Sequence, residues 1–216
     1  MKKYELIPSD KKGLYRIKAI RDFGNIKTGD IGGYIESEEN LIHDGNAWVC
    51  DNAKVYGDAK VYGDAWVYGD AEVYGDAKVY GDAEVYGNAE VYGDAEVYGN
   101  AKVYGNAEVY GDAEVCGDAK VCGDAKVYGD AKVCGDAEVC GNADYIVFKN
   151  WWSSGRYFTW TRSNNKWAVG CFYGTGEELI AKAYKDSEKS GREYERIVRY
   201  VEEILKEKKE TINEKH

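Results

Sequence analysis

The chain has 216 residues, of which 44% are hydrophobic and 31% are charged, and its formal net charge is −10. No apolar run reaches the ~18 residues of a membrane-spanning helix, which excludes that class of protein. The basic start, Met1-Lys2-Lys3, is not followed by the apolar stretch of a signal peptide, so we expect a cytoplasmic protein with no membrane partner.

Residues 1–47 carry eight basic and eight acidic side chains and lack the short repeat that follows. Two strands are predicted here, at 4–7 and 14–20, on either side of a turn at Pro8-Ser9-Asp10. The segments 29–36 and 40–47 look like irregular first coils of a repeat structure. We therefore predict an N-terminal β cap that covers the open end of the core behind it.

From residue 48 to residue 143, sixteen consecutive hexapeptides follow the template (Lys/Glu)-Val-(Tyr/Cys)-Gly-(Asp/Asn)-Ala. Val recurs in every repeat from Val49 to Val139, and Ala recurs from Ala53 to Ala143. Alternation along a strand puts Val and Ala on one face, and Lys/Glu and Tyr/Cys on the opposite face. Gly-Asp then favours a turn, because Gly accepts positive φ and Asp bonds to nearby backbone. Six residues suit a strand plus a corner, which predicts a parallel β-helix.

The spacing of the unusual residues predicts three sides per coil. Trp48 and Trp66 are three hexapeptides apart, and four of the five Asn at the corner position share one column at multiples of that spacing. A mainly β fold follows, with about five coils and a rod about 25 Å long at the usual strand spacing. The Asn residues of that column are Asn52, Asn88, Asn106 and Asn142.

The aliphatic-x-x-x-small-x rhythm of 48–143 resembles the left-handed β-helix of the hexapeptide-repeat acyltransferase superfamily. Both ends of the chain look most like those of prophage and bacterial hexapeptide proteins to which no reaction is assigned. The resemblance implies a left-handed coil and, in active acyltransferases, a His general base beside a coenzyme A channel between the subunits of a trimer. Here the candidates are His43 and the last residue, His216. The repeats contain no inserted loop, and Tyr or Cys occupies a position that is small or acidic in that superfamily, so we favour His43 as a cap residue and predict no cofactor.

Two outward columns are candidate binding surfaces on the predicted rod. A tyrosine ladder either stabilises the parallel strands or offers a flat face to a partner. An aspartate corner is either a row of solvated turn residues or a charged edge with a neutralising cation or raised pKa values. The ladder comprises Tyr56, Tyr74, Tyr92, Tyr110 and Tyr128, and the corner comprises Asp58, Asp76, Asp94, Asp112 and Asp130.

The six cysteines lack the close spacing of a metal site, and no metal is predicted. Five of them replace Tyr at the outward position, so Cys116/Cys134 and Cys122/Cys140 would lie on neighbouring coils. Such pairs are near enough for a strained disulfide at most. Free thiols in a reducing compartment are the expectation.

Residues 144–216 form a different, C-terminal module. Three strands are predicted, at 145–149, 156–161 and 166–173, followed by two helices. Each helix opens with a predicted capping box, Thr175 with Glu178 and Ser190 with Glu193. The aromatic and basic residues here either form a core over the end of the solenoid or a platform on which a base, nucleotide or sugar stacks. The candidate platform residues are Arg156, Trp160, Arg162 and Trp167.

Three functions remain open from the sequence. The favoured hypothesis is a non-enzymatic binding or scaffolding protein that presents Tyr, Asp and Lys/Glu columns to a protein partner; the resemblance implies a phage or mobile element as one source. A coenzyme A-dependent acyltransferase at a trimer interface is the first alternative. The second is an acidic DNA mimic, because the repeats carry a net charge of −12 and duplex DNA carries about 15 charges over ~25 Å. The rod itself should not bind nucleic acid, and self-association through its faces or the C-terminal helices is a further expectation.

Overall fold

The structure, a computed structural model, describes residues 1–213 and the side chains of residues 1–207, so His216 lies outside the described residues. The N-terminal region contains β1 (Tyr4–Ile7), β2 (Tyr15–Ala19), β3 (Ile31–Ile35), a 3-10 helix (Glu38–Asn40) and β4 (Leu41–Gly45). The repeats contain β5 (Trp48–Val49), β6 (Lys54–Val55), β7 (Lys60–Gly63), β8 (Trp66–Val67), β9 (Glu72–Val73), β10 (Lys78–Val79), β11 (Glu84–Val85), β12 (Glu90–Val91), β13 (Glu96–Val97), β14 (Lys102–Val103), β15 (Glu108–Tyr110), β16 (Glu114–Val115), β17 (Lys120–Val121), β18 (Lys126–Tyr128), β19 (Lys132–Val133) and β20 (Glu138–Val139).

Each repeat strand pairs in parallel with the strand three repeats further along, which gives a prism with three faces. The first face contains β6, β9, β12, β15 and β18; the second contains β7, β10, β13, β16 and β19; the third contains β5, β8, β11, β14, β17 and β20. Val55 pairs with Val73, and Trp48 pairs with Trp66, so one coil consists of three hexapeptides. The predicted three-sided parallel β-solenoid is confirmed.

The core of the solenoid is a column of small aliphatic side chains. All sixteen Val of the repeats, from Val49 to Val139, have no exposed surface. The Ala residues are buried up to Ala137, whereas Ala143 is exposed because no further coil covers it. At the corners, Gly57 has a φ of 67°, and a Cβ there would lie 3.3 Å from the backbone N of Gly75. The corner glycines therefore permit both the turn and the close stacking of coils.

The solenoid has about six turns rather than five, because the N-terminal region supplies the first coil. β3 joins the first face beside β6, and β4 joins the second face beside β7, both in parallel. β1 and β2 then extend the first face as antiparallel strands, as predicted for the segments around the Pro8 turn. The parallel edge of that face is thus covered by a hairpin.

The C-terminal module is a four-stranded antiparallel sheet followed by two helices: β21 (Tyr145–Lys149), β22 (Tyr157–Thr161), β23 (Lys166–Val169), β24 (Phe172–Gly174), α1 (Gly176–Asp186) and α2 (Glu188–Asn213). The predicted third strand is in fact two, because the chain turns at Gly170, whose φ is 56°. Thr175 and Glu178 form the predicted capping box of α1. The second predicted capping box is wrong: α2 begins before Ser190, at Glu188, and the hydroxyl of Ser187 accepts the N–H of Ser190. Neither described helix has the length and apolar character of a bilayer-spanning segment.

Side-chain oxygens close the C-terminal edge of each face. In a regular coil, the N–H at the Lys/Glu position donates to an Ala carbonyl of the next coil, as Lys120 does to Ala137. In the last strand of each face this N–H donates to a side-chain oxygen instead. The three hydrogen bonds are Lys126 N–H to Asn142 Oδ1 (2.7 Å), Lys132 N–H to Thr159 Oγ1 (2.8 Å) and Glu138 N–H to Ser163 Oγ (2.7 Å).

Candidate functional site

The tyrosines of the repeats stack in columns on the outside of the solenoid. On the first face, the ring centroids of neighbouring tyrosines from Tyr56 to Tyr128 lie 4.9–5.4 Å apart, with interplanar angles of 1–14°. Tyr62, Tyr80 and Tyr98 stack in the same way on the second face. The rings up to Tyr110 are partly buried, and Tyr128, at the end of the column, is 53% exposed.

Most of these rings are also tied to the next coil through their hydroxyl groups. Wherever the residue sixteen positions further along is Glu, the tyrosine O–H donates to its carboxylate at 2.9–3.1 Å. Burial and this bond raise the pKa of Tyr92 and of Tyr98 to about 12. The six pairs are Tyr56–Glu72, Tyr68–Glu84, Tyr74–Glu90, Tyr80–Glu96, Tyr92–Glu108 and Tyr98–Glu114.

Lysines pair with the same glutamates across coils. Five of the seven repeat lysines lie 2.5–2.8 Å from the carboxylate of a Glu at the equivalent position of a neighbouring coil. Burial alone would raise the pKa of Glu84, but the hydrogen bonds from Lys102 and Tyr68 outweigh it, and the pKa is lowered. The Tyr and Lys/Glu columns therefore satisfy one another and stabilise the coils. The five pairs are Lys54–Glu72, Lys78–Glu96, Lys102–Glu84, Lys126–Glu108 and Lys132–Glu114.

The aspartate corner between the first and second faces differs from the other two corners. Its five carboxylates, from Asp58 to Asp130, are exposed and make no hydrogen bond to a described side chain. At the other corners Asn amides donate to the acidic residue of the next coil, as Asn100 does to Asp118 at 2.8 Å. Cross-coil bonds of this kind relieve the repulsion between stacked carboxylates. The corner that lacks Asn has no such bond among the described side chains.

A groove of about 670 Å³ follows this aspartate corner along the rod. Seven carboxylates and two lysines line it, and one of those lysines, Lys78, is paired with Glu96. The groove is therefore strongly acidic. Its lining residues are Glu39, Asp58, Lys60, Asp76, Lys78, Asp94, Glu96, Asp112 and Glu114.

A second groove, of about 760 Å³, lies beside the third face and was not predicted from the sequence. Trp66 lines it together with Tyr68, Asp82 and the loop residues Gly24 and Asn25. The available signal was the presence of Trp where the template has Lys or Glu. The groove also requires the N-terminal loop as one of its walls, and the repeat does not specify where that loop lies.

His43 belongs to the packing of the N-terminal cap. Its ring lies against Tyr4, with centroids 4.4 Å apart, and its Nδ1 accepts the backbone N–H of Lys3 at 3.4 Å. Its Nε2 lies 3.5 Å from a carboxylate oxygen of Glu38, which also binds Lys2. Both ring nitrogens thus face groups of the cap, an arrangement suited to the cap role expected of this residue.

Lys3, beside His43, has a lowered pKa and was not among the residues singled out from the sequence. Its side chain is fully buried, and its ammonium donates to the carbonyl of Gly45 at 3.3 Å and lies 5.3 Å from the centroid of the Phe23 ring. Burial, followed by the charge of Arg21, lowers its pKa to about 8. The Lys3 side chain is thus held by contacts within the N-terminal region, next to those that hold His43.

Two of the predicted platform residues, Trp160 and Trp167, belong to the core of the C-terminal module. Trp160 and Trp167 are each 2% exposed, and Trp160 Nε1 donates to Asn165 at 2.8 Å. The stacking-platform alternative is thus corrected for these two residues, because their faces pack inside the module rather than towards solvent. Arg156 instead lines a cavity of about 420 Å³ between the sheet and the helices. Arg162 is exposed, 3.7 Å from Asp144.

Four cysteines of the outward columns are joined as disulfides between neighbouring coils. Cys116 pairs with Cys134 and Cys122 with Cys140, at Cα separations of 4.6 and 4.4 Å. The expectation of free thiols is wrong for these four, because a coil of three hexapeptides brings equivalent Cα atoms to a distance that a disulfide spans. Cys50 and Cys171 are free.

A scan against models of known protein families gave no match for this chain, and a search of curated proteins gave none either.

Proposed function

We propose that this protein is a non-enzymatic, rod-shaped binding protein whose aspartate corner binds a basic protein partner. The proposal rests on the aspartate corner, where five exposed carboxylates recur once per coil. The Tyr and Lys/Glu columns are occupied with bonds to each other, and they serve to hold that corner straight. Regularly placed surface charge steers a partner and fixes its register more than it adds affinity.

The partner should carry basic side chains spaced to match successive coils. Neighbouring coils place equivalent carboxylates about 4.8 Å apart, and the adjoining groove of about 670 Å³ gives such side chains a channel. Lys60, at the edge of this groove, has no Glu partner among the described residues and would limit where a cation lies.

The test compares two variants of equal net charge. In the first, Asp58, Asp76, Asp94 and Asp112 become Asn; in the second, Asp70, Asp118, Asp124 and Asp136, which line neither groove, become Asn. Asn occurs naturally at this template position, so both variants should fold. Proteins bound to immobilised wild type are identified by mass spectrometry and then measured singly at low and high salt.

We expect to find one basic protein that binds the first variant much more weakly than wild type, and whose affinity for wild type decreases with salt. Its affinity for the second variant should decrease much less. Equal loss in both variants would mean that only net charge matters. Binding that neither variant changes would contradict the proposal.

A second candidate function is mimicry of nucleic acid by the same corner. It is favoured by the Lys–Glu pairs, because five of the seven lysines are neutralised and the net charge of −12 resides mainly on the corners. Under this reading duplex DNA releases the captured partner in competition. Retention of the partner at saturating DNA contradicts it.

We also propose that the chain belongs with the left-handed hexapeptide-repeat β-helices. The coil of three hexapeptides, the three parallel faces and the Val/Ala core support this assignment. The left-handed coil itself stays a prediction.

A further inference from the structure

The groove beside the third face, lined by Trp66, differs in chemistry from the aspartate corner. The first coil places Cys50 and Asp51 on one side of it, the next coil supplies Asp64, Trp66 and Tyr68, and the coil after that supplies Asp82. Its lining combines aromatic side chains with three aspartates, here called the rim carboxylates, and with Glu84, which is paired with Lys102. Among the described residues, no lysine or arginine lines this groove.

Two departures from the repeat template coincide in this groove. Trp66 stands where fourteen of the sixteen repeats have Lys or Glu, and Asp51 stands at the position that is Gly in the other fifteen. Asp51 has a φ of 52°, a left-handed conformation that is uncommon for a residue with a side chain. Strained residues cluster at binding sites, where the surrounding structure holds them.

The N-terminal loop explains why Trp66 is open and Trp48 is not. Phe23 packs edge-on against Trp48 at a centroid distance of 5.3 Å, and Trp48 is 1% exposed. Trp66 lies one coil higher, beyond that contact, and is only partly buried against the core. The loop thus forms one wall of the groove and leaves part of the neighbouring indole exposed.

Two of the three rim carboxylates are held in place by neighbouring donors. Asp51 accepts the backbone N–H of Gly69 at 3.1 Å, and Asp64 accepts the amide of Asn46 at 2.7 Å. Asp82 makes no side-chain hydrogen bond within residues 1–213 and keeps all of its acceptor capacity. Asp51, Asp64 and Asp82 therefore leave the rim with a net negative charge around an aromatic face.

We propose that this groove binds an arginine side chain from an extended basic segment of a protein partner. A guanidinium stacks flat on an indole and at the same time donates in its own plane to carboxylates. Trp66 supplies the face, Asp82 and Asp64 supply the acceptors, and the charge of the groove matches the ligand. This proposal deepens the function proposed above and rests on it, with the groove as an anchoring point next to the acidic rod.

The test uses an acetylated and amidated peptide, Gly-Ser-Arg-Ser-Gly, and its twin with citrulline, which has the shape of arginine without the charge. Binding is followed by NMR of the tryptophan indole N–H signals, with the Trp66 signal assigned by its loss in Trp66→Glu. Glu is a template residue at this position, so that variant should fold, and it adds a negative charge. Asp82→Asn removes one rim charge, and Asp124→Asn removes a charge at another corner, outside both grooves and outside the aspartate corner.

The arginine peptide should shift the Trp66 signal and bind Trp66→Glu about three- to fivefold more weakly. Asp82→Asn should weaken binding, Asp124→Asn should not, and the citrulline peptide should bind more weakly than the arginine peptide. Unchanged or tighter binding to Trp66→Glu overturns the proposal that the groove is the binding site. Charge attraction alone predicts that result, because the variant adds a negative charge. Free arginine amide binding as tightly as the peptide overturns the extended segment as the ligand.

These outcomes are independent of the test of the acidic corner. If Trp66→Glu keeps its affinity while the corner Asn variant loses the partner, only the groove is overturned. If the corner variant keeps the partner while Trp66→Glu loses it, the corner is overturned and Trp66 is the anchoring point.

Discussion

A single tyrosine hydroxyl does two things in this rod: it satisfies a glutamate of the next coil and fixes the orientation of its own ring. The rule depends only on the residue sixteen positions further along. Tyr74 meets Glu90 and donates to it, whereas Tyr86 meets Lys102 and makes no such bond within the described part of the chain. Glu90 in turn has Glu72 and Glu108 as its column neighbours, so Tyr74 is its donor in place of a lysine.

Tyr74→Phe should therefore destabilise the protein, and Tyr86→Phe should not. The first removes a hydrogen bond to a carboxylate flanked by like charges, for which we expect a loss of about 1 kcal/mol in the free energy of unfolding. The second keeps the ring stack and removes a hydroxyl without that bond. The midpoint of urea unfolding checks both, and equal midpoints for the two variants would contradict the sixteen-residue rule.

The same hydroxyls predict how stability changes at alkaline pH. The folded pKa of Tyr92 and Tyr98 is raised to about 12 by burial and the bond to Glu, and the unfolded value is about 10. A raised folded pKa gives stability that is fully present below about pH 10 and is lost as pH rises towards 12. Exposed tyrosines such as Tyr128 also contribute to the absorbance, so the difference in tyrosinate absorbance between wild type and Tyr98→Phe is followed together with circular dichroism. We expect this difference to appear together with unfolding in this window, and a difference that appears well before unfolding would contradict the prediction.

At the scale of the elements, the ends of the faces depend on a few polar side chains rather than on strand propensity. Thr159 is fully buried, and its hydroxyl accepts the N–H of Lys132 at the last strand of the second face. Ser163 does the same for the third face. A buried N–H without an acceptor costs about 1–3 kcal/mol, and an uncovered parallel edge recruits further strands.

Thr159→Val should loosen this end, while Thr159→Ser should preserve it. Val keeps the shape and removes the acceptor, so we expect faster hydrogen exchange at the Lys132 amide and some end-to-end association. Ser keeps the hydroxyl and serves as the matched control. Exchange by NMR and mass by light scattering measure the two effects. Protection at Lys132 in the Val variant equal to wild type would show that the hydroxyl is not the acceptor.

The fold was predicted correctly from the sequence in the hexapeptide repeats, where one short pattern recurs. It was predicted less well in the C-terminal module and at the groove, where that pattern does not apply. The alternation of Val and Ala with Tyr determines which side faces inward, and the spacing of three hexapeptides determines the register. The turn at Gly170 and the start of α2 at Glu188 depend on packing inside the C-terminal module, which no repeat encodes. The groove at Trp66 likewise depends on a loop that lies far earlier in the chain, at Gly24 and Asn25.

At the scale of the whole molecule, each coil contacts only the coils next to it, so the rod should accept a change of length by whole coils. Deleting residues 72–89 removes three complete hexapeptides, one full coil, and keeps every Val facing inward. Deleting residues 72–88 leaves one extra residue behind and turns the following side chains to the wrong face.

We expect the first deletion to give a cooperatively folded protein that is shorter by about 4.8 Å, and the second to give an unfolded or aggregated one. Small-angle scattering and circular dichroism distinguish the two products. Equal folding of both deletions would mean that the side-chain register does not control the fold.

The near identity of the coils also bears on how such a molecule changes over generations. Repetitive coding sequence gains and loses units readily during copying, and here a gain or loss of three hexapeptides leaves both caps with the neighbours they require. Length, and with it the number of carboxylates along the acidic corner, can therefore vary between descendants while the termini stay the same.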